Sequence, residues 1–205
     1  QQELLLALIT NGEFDEALPI AEKLKKDPQI ERVSRVVLGI EAIRSRRFLL
    51  ADSALILTFE SDLERLLTGV LRSWAKLGAG EPDNALKTID SREGPDWFVL
   101  FTAYHGALIA DAAGREDDAI ERFRFGMDNT AGGSASPQTY IRMAEAFSGL
   151  LAREGEIEEA RSVLDRALEI APANPALLAL APEDVDISRK ALRIADPASG
   201  AAEIL

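Results

Sequence analysis

Cysteine is absent from this chain of 205 residues, and His105 is its only histidine. The lack of cysteine excludes disulfides, thiolate nucleophiles and cysteine-ligated metals. A single histidine leaves no second imidazole to complete a metal site. Gly78 and Gly80 form a GxG without a third glycine or a preceding strand, so we expect no phosphate cradle there. From these absences we expect no bound metal or cofactor, and a chain that is not an enzyme.

Aromatic residues make up only 6% of the chain, and 23 basic residues face 35 acidic ones, which gives a net charge of −12. A nucleic-acid binder usually carries a basic excess, so we expect no nucleic acid as a partner. No apolar run reaches the roughly 18–20 residues that span a bilayer, so we expect no direct membrane span. Alanine and leucine are abundant and favour helix, which predicts an all-α fold.

An alanine recurs at a fixed spacing in five similar short segments. These alanines are Ala17, Ala51, Ala85, Ala119 and Ala160. The first four are 34 residues apart, and the fifth follows after 41. The seven additional residues fit a loop insertion at 129–135, which is rich in glycine and small polar residues. The chain is therefore built from internal repeats.

The repeat resembles the tetratricopeptide repeat (TPR), a helix–turn–helix unit. Residues 12–17 fit its pattern as Gly-x-Phe-x-x-Ala, residues 155–160 nearly so, Pro172 matches its closing proline, and Gly39 its small residue in the first helix. The resemblance implies a right-handed α-solenoid of about five hairpins over residues 1–175. Residues 176–205 would be a degenerate repeat, a cap or the start of a further repeat. The expected repeats are 1–28, 29–61, 62–94, 95–130 and 137–172.

The hydrophobic spacing predicts paired helices. They are expected at 2–11 and 14–26, 30–45 and 48–59, 62–77 and 82–91, 95–113 and 116–129, and 137–154 and 157–171. Four aromatic residues recur at helical spacing, which favours a place in the core over a place in a groove: Trp74, Trp97, Phe98 and Phe101. We expect His105 to be structural or on the surface rather than a partner contact.

The TPR resemblance implies that the first helix of each repeat lines a concave groove for a peptide or protein partner. The corresponding positions are Ile9, Val36, Ile40, Arg44, Arg65, Arg72, Lys76, Tyr104, Arg142 and Arg153. They change from apolar to basic along the chain, which would suit an extended peptide with apolar anchors and carboxylates. The alternative is that these arginines simply populate solvated helix faces. No asparagine stands beside the basic residues, so we do not expect the carboxylate clamp that binds chaperone C-termini.

We expect an interaction scaffold, with two alternatives. One is a structural or oligomerisation module, with homo-oligomers formed through the solenoid ends. The other is a regulatory segment of a larger multidomain protein. The chain begins without methionine inside an apolar segment, so we expect a fragment of a longer, bacterial type of protein. A signal peptide would then lie outside it, and the sequence fits both a cytoplasmic and an exported (periplasmic) location.

Overall fold

A computed structural model describes residues 2–57, 61–91, 97–129, 137–180 and 197–202. All regular secondary structure in these residues is α-helical, which confirms the all-α prediction. The helices are α1 (Gln2–Thr10), α2 (Phe14–Leu24), α3 (Glu31–Arg44), α4 (Phe48–Ala54), α5 (Asp62–Gly78), α6 (Pro82–Asp90), α7 (Trp97–Ala112), α8 (Glu116–Asn129), α9 (Pro137–Arg153), α10 (Ile157–Ile170), α11 (Pro175–Leu180) and α12 (Pro197–Ala202).

The predicted helix ends are confirmed to within two residues, with one exception. Helix α4 ends at Ala54, well before the predicted residue 59. Arg35 explains the early end, because its Nε donates to the carbonyl of Ala54 (3.1 Å) and its Nη2 to that of Ser53 (2.9 Å). Those are the carbonyls that the next helical turn would use. Residues 130–135 of the predicted insertion and 181–196 of the predicted tail lie outside the described residues.

The five turns between paired helices share one backbone geometry. The second residue after the first helix has a positive φ in each: Gly12 (75°), Arg46 (55°), Gly80 (81°), Gly114 (71°) and Gly155 (86°). The amide of this residue donates to the carbonyl three residues earlier, and the following amide donates to the carbonyl five residues before it. In the first turn these hydrogen bonds run from Gly12 to Ile9 and from Glu13 to Leu8. This is the Schellman motif that ends helices. All five repeat alanines, which follow these turns by five residues, are fully buried.

Unit one comprises residues 1–89 together with 196–205. Each helix from α1 to α4 packs on the next, α3 also contacts α1 and α5, and α12 packs on α5 and α3. Ser61 starts α5 with a capping box, in which its hydroxyl accepts from the Glu64 amide and the Glu64 carboxylate accepts from the Ser61 amide. Trp74 is fully buried, as predicted for the core.

Unit two comprises residues 90–195. Helices α7 to α11 pack in sequence, and α9 also contacts α7 and α11. The rings of Phe123 and Phe147 stack across α8 and α9 with centroids 5.3 Å apart, and both are buried. Phe98 is buried as predicted, whereas Phe101 is only half-buried. Asn174 caps α11, since its Oδ1 accepts from the amides of Ala176 and Leu177.

Candidate functional site

An apolar pocket of about 280 Å³ opens between α1, α3 and α5 of unit one. We refer to it as the α1–α3–α5 pocket. Its apolar lining residues are Leu6, Ile9, Val33, Val36, Val37, Ile40, Leu67 and Leu71, and its polar ones are Arg32, Glu64 and Thr68. The volume lies just below that of pockets for drug-sized ligands, so it fits one or two apolar side chains.

Three predicted groove residues come together in this pocket. Ile9 comes from α1, and Val36 and Ile40 come from α3. They converge because α3 packs against both α1 and α5. Val36 and Ile40 are four residues apart and therefore lie on one face of α3. Leu6 extends the apolar surface to solvent, with 44% of its area exposed.

On α5 the pocket is lined mainly by residues other than the predicted ones. The lining residues of α5 are Glu64, Leu67, Thr68 and Leu71, and the predicted Arg65, Arg72 and Lys76 are not among them. Arg72 and Lys76 instead bind Asp52 of α4, at 2.8 Å (Nε to Oδ1) and 3.2 Å (Nζ to Oδ2). Arg65 pairs with Asp62, one turn earlier on its own helix. Leu67 and Leu71 were missed as site residues because their apolar spacing reads equally well as core.

The remaining predicted residues lie elsewhere. Arg44 sits over the ring of Phe14, with Cζ 5.1 Å from the centroid. In unit two, Arg153 pairs with Asp111, whereas Arg142 is exposed and has no ion pair within the described part of the chain. Tyr104 is only 4% exposed and therefore belongs to the core of unit two. The ion pairs offset much of the positive charge that the sequence assigned to a binding surface.

His105 is buried in unit two beside two aromatic rings. Its ring centroid lies 4.6 Å from that of Phe101 and 5.1 Å from that of Tyr104. Burial, and secondarily the positive charge of Arg142, lowers the pKa of His105 to about 3. The imidazole is therefore neutral near pH 7, as expected of a structural histidine. Among the described residues no group of three or more histidine or acidic side chains could hold a metal ion.

A second concavity, of about 830 Å³, lies in unit one between α2, α3 and α4. It is larger than the α1–α3–α5 pocket, but several of its charged lining residues are engaged by neighbours. Arg35 binds Glu31 and the end of α4, and Lys25 binds Glu22. We prefer the smaller pocket as the candidate site because its lining is mostly apolar and includes three predicted residues.

No protein-family model matches this chain, and comparison with curated proteins and with solved structures gave no match. The tetratricopeptide resemblance therefore rests on the repeat residues alone. In the part of the chain that the structure describes, no helix is long and apolar enough to cross a membrane.

Proposed function

We propose that this chain is a non-catalytic protein-interaction module, a right-handed solenoid of about five tetratricopeptide-like hairpins that binds a peptide segment. Five turns of one geometry, each followed by a buried alanine, support the repeat. Stacked hairpins of this type leave a concave surface lined by their first helices. In unit one those helices are α1, α3 and α5.

The observation that carries the proposal is the meeting of Ile9, Val36 and Ile40 in the α1–α3–α5 pocket. Burying one or two apolar side chains there contributes about 1.5–6 kcal/mol before the cost of association. Even before that cost is subtracted, the middle of this range corresponds only to roughly millimolar binding, so the pocket alone binds more weakly than that. A partner of higher affinity must therefore extend beyond the pocket along the helices.

The charges around the pocket favour an apolar ligand. One cation, Arg32, and one anion, Glu64, line it, so neither sign dominates. Asp52 engages both Arg72 and Lys76, which weakens the case for a ligand selected by its carboxylates. We therefore propose apolar anchors as the main recognition element.

The test is a selection of peptides from a random displayed library on the purified chain, followed by fluorescence anisotropy with labelled peptides. Val36→Glu places a carboxylate on the apolar wall of the pocket and is expected to weaken binding at least about tenfold, since burying a carboxylate under an apolar ligand side chain costs more than 1.4 kcal/mol. Val99→Glu is the control, because Val99 is 36% exposed on α7 and does not line the pocket. If both variants bind the selected peptides as tightly as the wild type does, the proposal is wrong.

A second candidate function, self-association, is favoured by Leu4 and Leu6 of α1, which are 52% and 44% exposed. Exposed leucines on one short helix can form a contact between two copies. Sedimentation equilibrium checks this directly. A dimer that Leu4→Glu converts to a monomer supports self-association, and a monomeric wild type at all concentrations rejects it.

A further inference from the structure

The short helix α12 lies on helices that also form the α1–α3–α5 pocket. It packs on α5 and on α3, within unit one. Gly200 and Ala201 of α12 are buried, the latter completely. Its residues, Pro-Ala-Ser-Gly-Ala-Ala, are small and uncharged. The contact therefore depends on close approach and apolar burial rather than on charge.

Gly200 meets the edge of the Trp74 ring. A Cβ atom at Gly200 would lie 2.3 Å from Cη2 of Trp74 and 2.5 Å from Cζ2 and Cζ3. Carbon atoms pack at about 3.5–4.0 Å, so no side chain fits between this helix and the indole without movement. Trp74 itself has no exposed surface. The indole edge thus selects glycine at this point of contact.

Trp74 shares a helix face with the lining of the pocket. It follows Leu71 by three residues and Leu67 by seven, and residues at these spacings lie on the same side of a helix. Both leucines line the α1–α3–α5 pocket. The α12 contact at Trp74 therefore continues the pocket along α5.

We propose that the face of α5 around Trp74 is a second subsite for the peptide ligand, and that α12 occupies it in cis. The subsite takes an uncharged segment of small residues with a glycine against the indole edge. This inference rests on the proposed function of the α1–α3–α5 pocket. A ligand that extends from the pocket along α5 must displace α12, so α12 competes with the partner.

The size of the competition follows from the docked fraction of α12. If α12 is docked in about nine molecules of ten, a ligand that needs the free subsite binds about tenfold more weakly than it would without α12. Release of α12 by a mutation or by a second ligand would raise the affinity for the peptide by the same factor.

The first experiment needs no ligand. In a Trp97→Phe background Trp74 is the only tryptophan, and its quenching by acrylamide reports access to the indole. Gly200→Leu is expected to increase this quenching, because its side chain cannot fit against the ring. Leucine has a higher helix propensity than glycine, so the change would not come from melting of α12. Quenching equal to that of the unsubstituted background would overturn the inference.

The second experiment measures the competition with peptides selected on the Gly200→Leu chain. Peptides whose binding Val36→Glu abolishes are expected to bind the wild type about tenfold more weakly than Gly200→Leu. Gly200→Ala should behave like Gly200→Leu.

The outcomes separate the two proposals. Val36-dependent peptides that bind the wild type and Gly200→Leu equally would overturn the role of α12 and leave the pocket proposal standing. A library that yields no Val36-dependent peptide on either chain would overturn both. In that case the acrylamide experiment would still report whether α12 contacts Trp74.

Discussion

The guanidinium of Arg153 on α9 lies 2.6 Å and 2.7 Å from the two carboxylate oxygens of Asp111 on α7. The side chains are only 19% and 7% exposed. A charge pair so little exposed is strongly coupled to folding, because removal of one partner leaves the other as a largely buried charge with less compensation. Arg153, predicted as a partner contact, therefore first of all stabilises unit two.

Arg153→Ala is expected to lower the free energy of unfolding of unit two by about 2–4 kcal/mol. Amide hydrogen exchange in α9 measures this for unit two separately from unit one. Arg142→Ala is the matched control, an exposed arginine on the same helix with no ion pair within the described residues, and it should change the value by less than about 0.5 kcal/mol. Equal effects of the two substitutions would contradict the structural role of Arg153.

Unit two should lose stability in weak acid because of His105. Its pKa is lowered from 6.5 to about 3 by burial first and by Arg142 second. Below pH 6.5 His105 binds a proton in the unfolded chain but stays neutral in the folded chain. The free energy of unfolding therefore falls by up to about 1.4 kcal/mol per pH unit until the pH approaches the folded pKa. Between pH 7.5 and pH 5 this one group removes about 2 kcal/mol.

His105→Gln is expected to abolish this part of the pH dependence, and hydrogen exchange in α7 at the two pH values checks it. Arg142→Ala should keep most of it, since desolvation is the larger cause of the lowered pKa. A wild type and a His105→Gln variant with the same loss of stability between pH 7.5 and pH 5 would contradict the buried, neutral imidazole.

Much of the fold could be predicted from the sequence because helix signals are local. The turn glycines, the alanines at intervals of 34 residues and the prolines at the starts of α9 and α11 all act within a few residues. The early end of α4 could not be predicted, because it depends on Arg35, which lies 18 and 19 residues away from the carbonyls it binds.

Of the predicted site residues, only apolar ones line the candidate site. Val36 and Ile40 follow the repeat register on α3, and the structure brings them together with Ile9. On α5 the hydrophobic positions are shifted from the repeat register. Several carboxylates of the sequence could have paired with Arg72 and Lys76, and only the packing of α4 against α5 determines that Asp52 is their partner. The contact of Gly200 with Trp74 joins residues 126 positions apart with no sequence pattern between them.

The second turn of the repeat offers a stabilising substitution. Arg46 has a φ of 55°, whereas the other four turns have glycine at this place. A left-handed conformation is strained for a residue with a Cβ atom by about 1–2 kcal/mol. Arg46→Gly should therefore exceed Arg46→Ala in stability by about 1 kcal/mol, once the entropy of glycine in the unfolded chain is subtracted. Hydrogen exchange in α3 compares the two variants, and a more stable alanine variant would reject a common geometry of the turns.

The most direct test of the peptide-binding proposal is a map of methyl chemical shifts in the chain labelled at valine and leucine, titrated with a selected peptide. The largest shifts are expected at the methyl groups that line the α1–α3–α5 pocket, those of Leu6, Val33, Val36, Val37, Leu67 and Leu71. Val99 and Leu178, both exposed in unit two, should stay unchanged. Largest shifts at Leu18 and Leu50, which line the larger concavity between α2 and α4, or in unit two, would contradict it.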